Sequence, residues 1–251
     1  MIEVGWVEEL DGPGVCAAVL ASRRAELEAE AARLRMAVHW ADLHSPERLA
    51  ARQVGEGSGR VLPGMERTRR SGSEGTPLVS EFAAVEFGAL MGMGYYAADH
   101  YLHDAVDIYY RHPRLWAAIL AGTAQVWQAR QVVKRTAGVG LTLAQARWVD
   151  EEVAPYLGCL PWSQVLELVE AKIIAADPEA AEARRLAAEM ERFVRTGRSS
   201  EHGLKTLYAK ATAGEVIYLT AMIERIAAIL AERGDTDPAD VRRSKALGIL
   251  G

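Results

Sequence analysis

The chain has 251 residues, half of them hydrophobic and a quarter charged, a composition that excludes a disordered protein. Its net charge of −5 means that any nucleic-acid binding needs a local basic patch, and its two distant cysteines, Cys16 and Cys159, exclude a disulfide framework or a cysteine-rich zinc finger. The longest uncharged stretch, Leu115 to Ala129, falls short of the roughly 20 apolar residues of a membrane span, and Glu3, Glu8 and Glu9 follow Met1 in place of a basic leader, so the expectation is a soluble, cytoplasmic protein with no membrane partner.

In chain order, the first strong periodicity follows the breaker cluster Gly12-Pro13-Gly14. Ala17, Leu20, Leu27, Ala31, Leu34, Val38 and Ala41 recur in alternate steps of three and four, with Arg24 as the one misfit. That stripe predicts a long helix from about Val15 to Leu43, either the spine of a bundle or a dimerisation element. From Ser45 to Ser80 the pattern dissolves into Gly, Ser, Pro and Arg, including Gly55 to Gly59 and Arg67 to Ser73. Apart from a short helix at Pro46 to Gln53, this reads as a flexible segment.

Helical pattern returns at Glu81. Phe82, Val85 and Leu90 mark a short helix broken at Met91 to Gly94, and a longer one runs from Tyr95 to Arg111. Further helices are predicted from Pro113 to Ala121, Thr123 to Thr136, Thr142 to about Pro155, and Pro161 to Ala176. Asp177-Pro178 and Asp237-Pro238 each read as an N-cap followed by proline at the first helical position. Phe193 to Thr196 and Leu204 to Lys210 flank a Gly-rich turn and predict a hairpin, and Val216 to Leu230 stripe one more helix. The expected fold is mainly α: a multi-helix bundle with one small β-hairpin near residues 193–210. The expected organisation is a long N-terminal helix (1–44), a flexible Arg/Gly/Ser-rich segment (45–80) and a helical domain with the hairpin (81–251).

Three places could carry chemistry. Phe82 to Tyr110 has helix-turn-helix spacing, but Asp99, Asp104 and Asp107 on the second helix would repel phosphate; the same spacing fits any two bundle helices. On that helix Asp99, His100, His103, Asp104 and Asp107 share a face, which suits either a divalent cation or local ion pairing in solvent. Between Arg111 and Arg147 the charged groups are Arg111, Arg114, Arg130, Lys134, Arg135 and Arg147, with no carboxylate among them. On the 123–136 helix, Trp127, Arg130, Gln131 and Lys134 gather opposite the apolar side, with Arg135 at the margin. An exposed tryptophan among these residues could lie on a base or sugar while the cations meet phosphate; the other reading is a tryptophan buried against a neighbouring helix. The sequence contains no Gly-x-Ser-x-Gly, no phosphate-cradling Gly-x-x-x-x-Gly-Lys and no His-Glu-x-x-His.

Several motifs come in a characteristic order: His112-Pro113-Arg114-Leu115-Trp116, Trp127-Gln128-Ala129-Arg130, Ala146-Arg147-Trp148-Val149-Asp150, Ala175 to Ala180, Gly197 to Leu204 and Gly234 to Gly248. From about Ala37 onward the chain resembles the N-terminal helical domain of unknown function in actinobacterial HNH-endonuclease signature proteins, a family that includes a mycobacterial repeat linked to mobile elements. The resemblance implies a DNA-directed protein. Relatives carry, after this region, an HNH nuclease in which His and Asn or their equivalents hold one divalent metal. This sequence has no asparagine and no Cys-x-x-Cys, so no catalytic or metal-binding residue carries over, and no cofactor is expected. The expectation is a non-catalytic accessory domain that binds or positions DNA through Trp127, Arg130, Gln131, Lys134 and Arg135. The alternative is an interaction scaffold that dimerises through the Val15–Leu43 helix and binds no nucleic acid.

Overall fold

The computed structural model describes residues 4–55 and 66–251. The fold is mainly α, as expected. Two compact units, residues 1–178 and 179–251, divide the chain, so a boundary falls inside the expected 81–251 domain. No helix among the described residues is long and apolar enough to cross a membrane.

The first unit begins with a 3-10 turn at Val4–Glu9 and the helix α1, Gly12–Leu43. Asp11 caps it by accepting a hydrogen bond from the Gly14 N–H at 2.9 Å. The three-four stripe is buried only over its second half, at Ala31, Leu34, Val38 and Ala41, with Ala37 buried beside it. The helix α2 (Pro46–Gly55) follows, and the expected glycine-rich run over residues 56–59 lies outside the described residues.

The described remainder of the expected flexible segment carries a second hairpin that sequence periodicity did not reveal. β1 (Thr68–Arg70) pairs antiparallel with β2 (Leu78–Ser80), Thr68 opposite Ser80 and Arg70 opposite Leu78. Three-residue strands are too short to show alternation, so the pattern had nothing to display. In its loop Gly72 has φ +147°, and a Cβ there would stand 2.6 Å from the Thr76 hydroxyl. Only glycine fits that turn.

Next come α3 (Ala83–Met91), closed by Gly92 at φ +64°, then α4 (Tyr95–Arg111), α5 (Pro113–Leu120), α6 (Val126–Gly138), α7 (Leu143–Val153) and α8 (Trp162–Ala176). The central helix is α4, which packs against α1, α3, α5, α6 and α7. Ala98, Tyr101, Leu102, Ala105, Val106, Asp107, Ile108 and Arg111 are all buried on it. The face that α4 leaves partly open carries Asp99 and Asp104, whose carboxylates repel phosphate, and this counts against the recognition-helix reading of Phe82 to Tyr110. Tyr95 and Tyr109, near its two ends, are exposed.

The second unit contains nearly all of α9 (Pro178–Met190), then β3 (Phe193–Ser199), β4 (Lys205–Lys210), α10 (Ala213–Glu232) and α11 (Ala239–Leu250). The strands form the expected hairpin, with Phe193 opposite Lys210 and an irregularity between Thr196 and Ser199. Thr212 and Glu215 form a reciprocal capping box at the start of α10. Ala227 and Ala246 are buried where α10 meets α11.

Candidate functional site: the groove between α4 and α6

A buried polar network fixes α4 against its neighbours. The Asp107 carboxylate accepts the Ser73 N–H at 2.8 Å and the Ser73 hydroxyl at 2.7 Å, tying the hairpin loop to α4. Burial pushes this carboxyl up, but the bonds from His103 and Ser73 outweigh it and hold it below its ordinary value. Arg111, one turn later and fully buried, donates to the Glu74 carbonyl at 2.6 Å and the Leu141 carbonyl at 2.7 Å. Its Nε has no hydrogen-bond partner and stands 3.9 Å from Asp107 Oδ1.

The turn into α5 is held by two more buried groups. Asp150, on α7, accepts the Arg114 and Leu115 N–H groups at 2.7 and 2.9 Å, placing a carboxylate on the N-terminus of α5. His112 lies between the Asp107 carbonyl and the Thr136 hydroxyl, both at 3.1 Å. A carbonyl only accepts, so His112 Nδ1 carries the proton, and Nε2 faces a Thr136 hydroxyl whose single proton is shared with the Val133 carbonyl at 3.0 Å.

These two groups have opposite pH slopes. Burial pushes the His112 imidazole down to about 4, so its stabilisation is present above the unfolded value near 6.5 and is lost as pH falls from about 6.5 to 4. Burial pushes the Asp150 carboxyl up to about 6 against its two N–H bonds, so this group adds stability as pH falls from about 6 to 4. Each contribution is on the order of 3 kcal/mol, from a shift of about two units or slightly more at 1.36 kcal/mol per unit. Urea unfolding at pH 6.5 and 4.5 should therefore show Asp150→Asn losing stability on acidification and His112→Gln gaining it. Parallel slopes in the two variants would contradict the assignment.

On this frame α4 and α6 leave a groove of about 520 Å³. One wall carries Asp99, His100, His103 and Asp104 of α4, and the other carries Trp127, Arg130, Gln131 and Lys134 of α6. The sequence presented these as two separate candidates; the packing of Val126, Ala129, Val132, Val133 and Thr136 turns them toward each other. The pairing of Asp104 with Arg130, and the place of His103 across the groove from α6, are therefore parts of the site that the sequence pattern did not join. Helical spacing gave the contents of each face but not which faces meet.

The charges at the groove are mostly matched. Arg130 Nε donates to Asp104 at 2.6 Å and its guanidinium lies 5.2 Å from the Tyr101 ring centre. Burial raises the Asp104 carboxyl, and the bond from Arg130 works against that rise. Asp99 is ion-paired with Arg69 of β1. Lys134 is exposed and has no counter-ion among the described residues. The hydrogen bond from His103 to Asp107, 3.4 Å long, raises the imidazole above its usual value. Trp127 is 44 % exposed, set edge-to-face on Trp162 at 5.0 Å, and its indole N–H donates to Gln125 at 2.6 Å.

The basic segment does not form one surface. Arg111 is inside the core, Arg135 turns to Glu170 at 3.1 Å, and Arg147 donates to the Tyr110 carbonyl. Of the five expected binding residues, Trp127, Arg130, Gln131 and Lys134 line one groove, and Arg135 does not. The acidic face of α4 does not converge on a metal either, because Asp107 is buried and turned to Ser73. Among the described residues no group of three His, Cys, Asp or Glu side chains could hold an ion. No protein-family model, curated protein or solved structure matches this chain.

Proposed function

We propose that this chain is a helical accessory module of the HNH-endonuclease type that holds nucleic acid locally, about one nucleotide at a time, in the α4–α6 groove. One observation carries the reading: an exposed tryptophan stands beside an unpaired lysine on a groove whose volume suits a small ligand. Trp127 supplies a surface for a base, and Lys134 supplies charge for one phosphate. Arg130 uses only Nε for Asp104, so its terminal nitrogens remain for a second acceptor. Asp99 and Asp104 in the same groove disfavour a continuous phosphate backbone, so the reading is local contact and not duplex tracking.

Binding of a short single-stranded oligonucleotide, followed by fluorescence anisotropy, tests this. Trp127→Ala should weaken it by roughly ten-fold or more, the range of one lost stacking contact of about 1–3 kcal/mol. Lys134→Ala should weaken it less, and Arg135→Ala should leave it unchanged. Equal losses at Lys134 and Arg135 would mean that diffuse charge, and not the groove, binds the strand. Acidification should tighten binding as His103 protonates, and His103→Gln should remove that gain.

The alternative, an assembly scaffold, draws on a different observation: none of the residues Gly12 to Glu30 on α1 is buried.

A further inference from the structure

The stripe on α1 continues, with Arg24 as its one misfit, beyond the part that the first unit covers. Ala31, Leu34, Val38 and Ala41 are buried in the core, yet the same seam one to four turns earlier, at Leu27, Arg24, Leu20 and Ala17, is not. Leu20 is 71 % exposed. At about 1.5 Å per residue, the 19 residues from Gly12 to Glu30 extend roughly 28 Å without a buried side chain. Most helical stability comes from covering an apolar face, so a seam of this kind calls for a partner helix.

We propose that the exposed half of α1 docks a second copy of this chain, the two helices lying antiparallel with Ala17, Leu20, Arg24 and Leu27 of each facing the other's. The charge pattern favours a copy in this orientation. In a parallel pair Arg24 would face Arg24 of the partner subunit at the seam, a like-charge contact. In an antiparallel pair centred on the four seam positions, Ala17 meets the partner's Leu27, small against large. Arg24 meets the partner's Leu20, its stem lying on the leucine while its guanidinium keeps the Glu28 bond at 2.9 Å.

Steric fit points the same way. From Ala31 onward the seam is covered by the chain's own helices, α4 among them, so a parallel partner would run into that body. An antiparallel partner instead ends there, and the second body lies beyond the opposite end. A cleft of about 420 Å³ is open at this position, with Leu20 to Ala31 of α1 on one side and Ile119 to Gly122 at the end of α5 on the other. The first turn of the partner's α1 falls in it, its N-terminus beside the C-terminus of α5, a favourable meeting of helix dipoles.

Light scattering of the full chain should give twice the 27.3 kDa chain mass, and Leu20→Glu/Leu27→Glu should halve it while leaving the circular-dichroism spectrum intact. Cys16 is exposed, and in the antiparallel register position 30 of the other helix is its nearest neighbour on the same flank of the seam, position 28 being level with it on the other flank. With Cys159→Ser removing the other thiol, Glu30→Cys should give a covalent dimer on mild oxidation. A monomer at tens of micromolar overturns the proposal, as does a dimer that survives the double glutamate variant or fails to cross-link through Glu30→Cys. None of these outcomes depends on whether the groove binds nucleic acid.

Discussion

Asp107→Ala is expected to destabilise the first unit by about 3–5 kcal/mol, the cost of breaking a buried ion pair from one side. The carboxylate is fully buried, holds both donors of Ser73, and is the counter-charge nearest to Arg111. Its removal leaves a buried guanidinium facing only two carbonyls, and it releases the loop that carries the β1–β2 hairpin. The double variant Asp107→Ala/Arg111→Met should recover part of the loss, because it removes the stranded charge. A strictly additive or larger loss in the double variant would mean that the two residues act separately. Urea unfolding reads both outcomes.

Leu34→Ala is expected to cost about 3–5 kcal/mol, while Leu20→Ala, on the same seam two heptads earlier, should cost a monomer almost nothing. Leu34 is fully buried and Leu20 is largely exposed, so the truncation opens a cavity at one position and removes a solvated side chain at the other. If Leu20→Ala costs as much as Leu34→Ala, and the cost falls with dilution, the loss belongs to the dimer interface. Equal costs independent of concentration would contradict the placement of α1.

This comparison also marks how far the sequence could be read. Period alone located α1 and the hairpin near residues 193–210, because helical stripes and strand-turn-strand signals are local. It could not tell which half of the α1 seam the body covers, since Leu20 and Leu34 occupy equivalent positions in the repeat. Arg111 shows a second limit. Counted as charge along the chain it belonged to a basic segment, but Asp107 and two backbone carbonyls make its burial possible, and the carbonyls, of Glu74 and Leu141, come from distant elements. The groove was half legible. Trp127, Arg130, Gln131 and Lys134 follow from helix geometry, whereas the Asp104 that neutralises Arg130 lies 26 residues earlier, on a helix whose neighbours are set by packing. The β1–β2 hairpin was illegible because its strands are three residues long and glycine, not alternation, shapes its loop.

The groove also explains why a linear count of cations misleads. Six positive groups in one stretch would suggest a broad phosphate contact, but the fold sends Arg111 inward, Arg130 to Asp104 and Arg135 to Glu170. What stays available at the groove is Lys134, the terminal nitrogens of Arg130 and, at lower pH, His103.

The most direct test is the salt dependence of single-stranded oligonucleotide binding. Contact with about one or two phosphates gives a slope of roughly −1 in log K against log salt, at about −0.7 per phosphate, and Lys134→Ala should flatten it. The groove account predicts that shallow slope together with a stacking contribution from Trp127 that salt leaves unchanged. A slope of about −4, corresponding to six neutralised phosphates, or the absence of binding at low salt would contradict it.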